Sequence, residues 1–327
     1  IAHIGVGLML IGILFSSGYS KILSKNNTGL LYSKEFPDEI NLNNLLLFLN
    51  EPRKMGDYSL VYKGIRKKLL DYGYVDANLL VETGNPLLLR ATEDIYIDSE
   101  LRISKGDQVQ VINNENSYFE VLYEKDNGDH FLLYPRVQLN DQMGTVYSPD
   151  INRTLTADMY THVRTFPDPA QETDWGEVQE YQVAIGEDFF INDYVATFKK
   201  MERIDQIEGV TLGDNDVAVK AVIEIKGEYQ NYLATPIYLI KDQMAGKIPM
   251  VVYDLAAQIT IESIDPEKDT FTFGVRRSQK DWIIMEAVEK PYINLLWIGA
   301  LLLCFGFFIA ILRRYEEFIT FRNKGLE

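Results

Sequence analysis

The chain has 327 residues, a hydrophobic fraction of 46% and a formal net charge of -16. That length suits two ordinary domains and that apolar content excludes intrinsic disorder. The acidity excludes nucleic-acid binding and general attraction to anionic headgroups. A lone cysteine, Cys304, excludes an intrachain disulfide, a Cys-based zinc site and a Cys-x-x-Cys-His haem attachment.

Ile1 to Phe15 is uncharged apart from His3. Residues 1–18 are predicted to be a transmembrane helix cut short at the chain start. A signal-peptide core is the alternative, because Ser16, Ser17 and Gly18 are small enough to mimic a cleavage site. His3 stands out because an ionisable group inside a membrane helix is costly and needs a partner or a cavity. Its imidazole is a helix-packing or hydrogen-bonding group on one reading and an axial ligand of haem iron on the other.

Two stretches read as helical: Asn43 to Phe48, a short apolar run, and Gly64 to Tyr72, where Ile65, Leu69 and Leu70 have helical spacing. Most of the remainder predicts strands; 108–112, 118–123, 178–184, 217–225, 232–240, 258–263 and 270–275, for example, alternate and are rich in Val, Ile, Tyr and Phe. Residues 126–129 and 265–269 carry hairpin turn chemistry, and the Pro-rich acidic stretch 165–176 reads as a linker. The linker separates two halves with shared patterns. Asp57-Tyr58 and Asp193-Tyr194 each precede three residues, an aromatic and a lysine. Pro135 and Pro236 each lie six residues before Asp-Gln-Met. Two matches in the same order predict a duplication. The expectation is therefore a mainly β ectodomain of two related antiparallel subdomains, 19–164 and 177–290. The first would be enlarged by a helical insertion around 69–104.

Residues 291–312 predict a second transmembrane helix, since Tyr292 to Leu312 is 21 residues without a charge. Tyr292 and Trp297 suit one interface. The pairs Gly5/Gly12 and Gly299/Gly306 each give a helix a small-residue face. The tail, 313–327, has four basic and three acidic residues and is assigned to the cytoplasm by the positive-inside rule, with the ectodomain outside.

His130 and His162 belong to no metal-spacing motif, and no Gly-x-Ser-x-Gly, His-Glu-x-x-His or phosphate-binding Gly loop occurs. No catalytic residue is assigned.

Three blocks carry a resemblance: Ala2-His3-Ile4-Gly5-Val6-Gly7-Leu8; then Pro135-Arg136, Met143, Ile151 and Asp158-Met159-Tyr160; then Lys290-Pro291-Tyr292-Ile293 with Trp297 and Gly299. Together they resemble the carboxy-terminal part of the CcmF-type haem lyase family of cytochrome c maturation. The resemblance implies a multi-pass protein of the bacterial inner membrane with a periplasmic domain that assists covalent attachment of haem to apocytochrome c. It implies a b-type haem in the membrane, with His3 as one axial ligand and the second outside this chain. Expected partners are apocytochrome c, other maturation subunits, haem and membrane lipid. The family's Trp-rich haem loop is not among these residues. Ala157 stands where the family usually has Arg, and the distance from Tyr160 to Lys290 is far longer than usual. A membrane-anchored β-domain binding or scaffolding protein without cofactor is the alternative.

Overall fold

The computed structural model describes the chain apart from residues 29–30, 35, 141, 143, 168–172, 208–209, 211, 214–215, 228–230, 242–243 and 326–327. The protein is mostly β, with several antiparallel sheets and three helices among the described residues: α1 (Ala2–Gly18), α2 (Asp38–Asn43) and α3 (Ile293–Lys324). Two compact units result. The first comprises Ile1–Phe166 and Trp282–Glu327, and the second Pro167–Asp281.

In unit 1 the principal sheet runs in the spatial order Pro52–Met55, Tyr58–Leu69, Asn116–Lys125, Arg136–Asn140, Gly144–Ser148. His130–Leu133 also pairs with the central strand. A second sheet places Trp282–Pro291 between Ala157–Thr165 on one side and both Lys21–Ile22 and Leu45–Phe48 on the other. Leu47, Leu60, Tyr62, Phe119, Val121, Tyr123, Ile283 and Met285 fill the core between these sheets. All come from before residue 167 or after residue 281, so the chain leaves unit 1 between two adjacent strands and returns to complete it.

Unit 2 has the strand order Asp188–Ile191, Tyr194–Ile204, Val217–Lys226, Ile237–Lys241, Met244–Ile248, with Asn231–Ala234 also on the central strand. Its second sheet runs Gln179–Val183, Thr270–Arg277, Ala257–Asp265, Met250–Val252. Phe198, Ile223, Ile225, Ile259, Ile261 and Phe273 form its core.

The strand orders of the two units correspond, and so do their irregularities. Lys63 is the extra residue of a bulge between Tyr62 and Gly64, and Lys199 of one between Phe198 and Lys200. Arg164 and Glu262 occupy a second matching pair of bulges. The Phe119 amide donates to the Pro135 carbonyl, and the Ala221 amide to that of Pro236, each at 3.0 Å. A bulge inserts one residue at a defined place and bends the strand, so its recurrence is more specific than β content. Asp141, Met143, Asp242 and Gln243 of the second sequence match lie outside the described residues.

Several expectations are corrected. Gly64–Tyr72 is not a helix; most of it belongs to the strand Tyr58–Leu69. Ile65 and Leu69 are four apart, a spacing that fits one face of a strand as well as one face of a helix, and Leu70 lies beyond the strand and is exposed. Residues 43–48 end α2 and then form the strand Leu45–Phe48, held by pairing with residues some 240 positions away. The insertion after Leu69 is β rather than helical. Its short strands enclose a core of Leu69, Val75, Leu89, Ile95, Ile103 and Val109, and its one helical piece is the 3-10 turn Ala77–Leu79. Residues 232–240 form two strands, because Pro236 has no amide to donate. Trp282–Pro291, expected in the second subdomain, completes the second sheet of unit 1.

Of the described helices, α3 alone is long and apolar enough to cross a membrane, with a mean hydropathy of 2.7 in its apolar window. It continues past Arg313 as helix to Lys324. α1 is apolar but shorter, at 17 residues.

Candidate functional site: the helix pair and its strand platform

α1 and α3 pack through the predicted glycines. Gly5, Gly12, Gly299 and Gly306 are all buried. A Cβ added to Gly5 would lie 2.5 Å from the Leu303 amide nitrogen, and one on Gly306 would lie 2.6 Å from that of Ala2. Side chains are absent where the two backbones meet, which is how small residues allow close approach in a membrane. Gly7 has open space around it and lies off this seam.

His3 is exposed. At about 100° per residue it sits roughly 200° around α1 from Gly5, so its imidazole is turned away from α3. The contacts of Ala2 and Gly5 set its level beside residues 303–306, roughly 12 residues and ~18 Å along α3 from Tyr292. The imidazole carries ring nitrogens of the kind that ligate iron, and it is exposed. The groove between the helices is closed by glycine contact, so a haem held by it would lie on the outer side of α1. Cys304 is also exposed on α3. Among the described residues no three His, Cys, Asp or Glu side chains are grouped to hold a metal ion.

Both helices hang from one strand. After α1, Lys21 and Ile22 pair with Glu289 and Val288. The Leu23 amide donates to the Ala287 carbonyl at 2.9 Å, and the Ala287 amide to Ser24 Oγ at 2.9 Å. That strand leads directly into α3 through Pro291 and Tyr292. Tyr292 has φ +55°, an uncommon left-handed conformation for a non-glycine residue that turns the strand into the helix. The corner is tied to the neighbouring hairpin. The Tyr292 amide donates to the Thr156 carbonyl at 2.7 Å, and Asn294 Nδ2 donates to the carbonyls of Thr154 at 2.8 Å and Leu155 at 3.1 Å.

The second and third sequence blocks meet on this platform. Ile151 pairs with Tyr160, Tyr160 with Val288, and Asp158 with Lys290. Lys290 Nζ lies 4.8 Å from the Tyr160 ring centroid, a cation–π contact. Burial pushes the Tyr160 phenol above its ordinary value, the Asp158 carboxylate adds to the shift, and Arg153 opposes both. Asp158 is 3% exposed, and its Oδ1 has no hydrogen-bond partner among the described residues. Pro135 precedes, and Arg136 begins, a strand of the other sheet, where Arg136 donates to Ser148 Oγ at 2.9 Å. Met143 lies outside the described residues.

Further along the same strand, His162 pairs in register with Glu286. Burial lowers the His162 pKa, and the Arg164 guanidinium lowers it further against the opposing Glu286 carboxylate. Arg164 Nε donates to Glu286 Oε2 at 2.9 Å. His130 is exposed on an edge strand. His3, His130 and His162 lie on three different elements, α1, His130–Leu133 and Ala157–Thr165. Sequence reasoning missed Arg153, Leu155 and Asn294. Leu155 and Asn294 meet across 139 residues, whereas Arg153 pairs with the nearby Asp158; only the Lys-Pro-Tyr corner gave a local signal.

No family model, no curated protein and no solved structure matches this chain.

Proposed function

We propose that the chain is part of a CcmF-type haem lyase subunit that assists covalent attachment of haem to apocytochrome c on the outer side of a bacterial inner membrane. The observation that carries this reading is His3, an imidazole on the outward face of an apolar helix whose other face is sealed against α3. The sequence resemblance supports it, because its Asp158–Tyr160 and Lys290–Tyr292 blocks adjoin on the strands from which the helices hang. On this reading both helices span the membrane within a multi-pass protein. His3 supplies one axial nitrogen to a b-type haem, and the second ligand lies outside this chain. Bound haem supplies a redox-active iron. The chain's own residues position His3 and present an acidic surface that steers basic partners such as an apocytochrome or other maturation subunits. The correspondence of the two units is read as an internal duplication, with the second copy occupying the last hairpin of the first.

The test is cytochrome c maturation in cells that depend on the full-length protein. His3→Ala is expected to abolish haem-stained cytochrome c while the protein stays in the membrane. Unchanged maturation would refute the role of His3. A cofactor-free, membrane-anchored binding or scaffolding protein is the second reading. The repeated β units favour it, since they make up most of the chain and supply surface rather than chemistry.

A further inference from the structure

Among the described residues Leu155 is the most exposed large apolar side chain, at 93% exposure. It sits in the turn 154–156 between the strands Asp150–Arg153 and Ala157–Thr165. This turn is not free to bend away. Its two strands pair through four residues, Thr154 Oγ1 closes it by bonding the Ala157 carbonyl, and Asn294 Nδ2 holds the carbonyls of Thr154 and Leu155. Exposure of a large apolar group on a fixed turn is a property of the fold.

Asn294 sets its level, because it lies in the first turn of α3, where the uncharged run begins. The same level carries Tyr292 at 50% exposure and Tyr19 at 65%, with Trp297 one turn deeper at 60%. The Phe15 ring links them, stacked on Tyr19 at 5.4 Å and edge-on to Tyr292 at 5.7 Å. Amphipathic rings at this height mark a headgroup boundary. Arg153, exposed at the base of the turn, places a cation there.

We propose that the turn 153–156 is a membrane-inserting element: Leu155 enters the boundary between headgroups and acyl chains, with Arg153 at phosphate level. The partner is the lipid surface. Insertion fixes the height and tilt of the strand platform that holds both helices, using a contact separate from the spans. This inference rests on α3 crossing the membrane, and its test separates the two.

The chain carrying Cys304→Ser is given one new cysteine at a time, Leu155→Cys, Leu132→Cys or Leu301→Cys. Each is nitroxide-labelled and placed in phosphatidylcholine nanodiscs. Collision with oxygen and with a water-soluble nickel complex is then measured. Leu301, on α3, is expected to be oxygen-accessible and nickel-excluded, and Leu132, on an ectodomain edge strand, the reverse. Leu155 is expected to fall on the lipid side, with several-fold less nickel collision than Leu132. Nickel access at Leu155 equal to that at Leu132 overturns the proposal while leaving the span intact. Exclusion of both reagents at Leu155 also overturns it, since protein would then cover the site. Nickel access at Leu301 removes the membrane reading itself.

Discussion

The correspondence of the two units makes unit 2 removable by a defined graft. In unit 2 the strands Ala257–Asp265 and Thr270–Arg277 are joined by a short turn, with Asp265 paired to Thr270. The equivalent strands of unit 1, Ala157–Thr165 and Trp282–Pro291, are joined by the whole of unit 2. Aligning the second bulges, Arg164 with Glu262, makes Pro167 equivalent to Asp265 and Trp282 to Thr270. Replacing Pro167–Asp281 by the sequence Asp-Pro-Glu-Lys-Asp should therefore close the unit 1 hairpin in register. No core residue of unit 1 is lost. Shortening the closure from roughly 115 residues to about 5 changes the loop term by about (3/2)RT ln 23, ~3 kcal/mol in favour of the graft. That figure is an upper bound, because unit 2 already draws its own ends together by pairing Gln179–Val183 with Phe271–Val275. The expected result is a chain in detergent micelles with an unchanged β circular-dichroism signature and a melting temperature raised by between zero and about 10 °C. Loss of the β signature, or ready proteolysis of the strands around Phe119 and Tyr123, would refute the register derived from the bulges.

Other outcomes follow from individual contacts. Gly12→Leu drives a side chain into the α3 backbone at Leu296 and should lower thermal stability in micelles by about 1–3 kcal/mol, whereas Gly7→Leu should leave it unchanged. Tyr123 and Thr161 share a buried hydroxyl–hydroxyl bond of 2.6 Å. Tyr123→Phe should cost about 1–3 kcal/mol by denaturant titration, and the Tyr123→Phe/Thr161→Val pair less than the sum of its single changes. His162 has a pKa below its ordinary 6.5, so the unfolded chain binds its proton first. Its contribution is complete above about pH 6.5 and is lost as pH falls from there through the lower folded value. His162→Gln should flatten stability in that window, and an unchanged profile would assign the slope to other groups.

The sequence disclosed the two apolar helices, strands such as Asn116–Lys125 and Val217–Lys226, and the shared Asp-Tyr motif because each is written in a contiguous stretch. The Lys63 and Lys199 matches were visible as letters, but their meaning as bulged residues required the pairing partners Val121 and Ile223. Leu45–Phe48 was misread because a four-residue apolar run has no period of its own and is decided by Trp282–Met285. The strands of the insertion around Leu89 and Ile103 are only three or four residues long, too short to show a period in the sequence. At the candidate site, His3 and the glycine spacing were legible, whereas the direction of His3 away from the seam required both helices. The platform of Asp158, Tyr160 and Lys290 joins residues about 130 positions apart, which no local pattern reveals.

The central claim is that His3 ligates haem in the membrane. The direct measurement is the visible spectrum of the purified full-length protein, with His162→Ala as a control outside the span. The account predicts a Soret band that persists in His162→Ala and disappears or shifts in His3→Ala. A protein without bound haem, or a Soret band indifferent to His3→Ala, would contradict it.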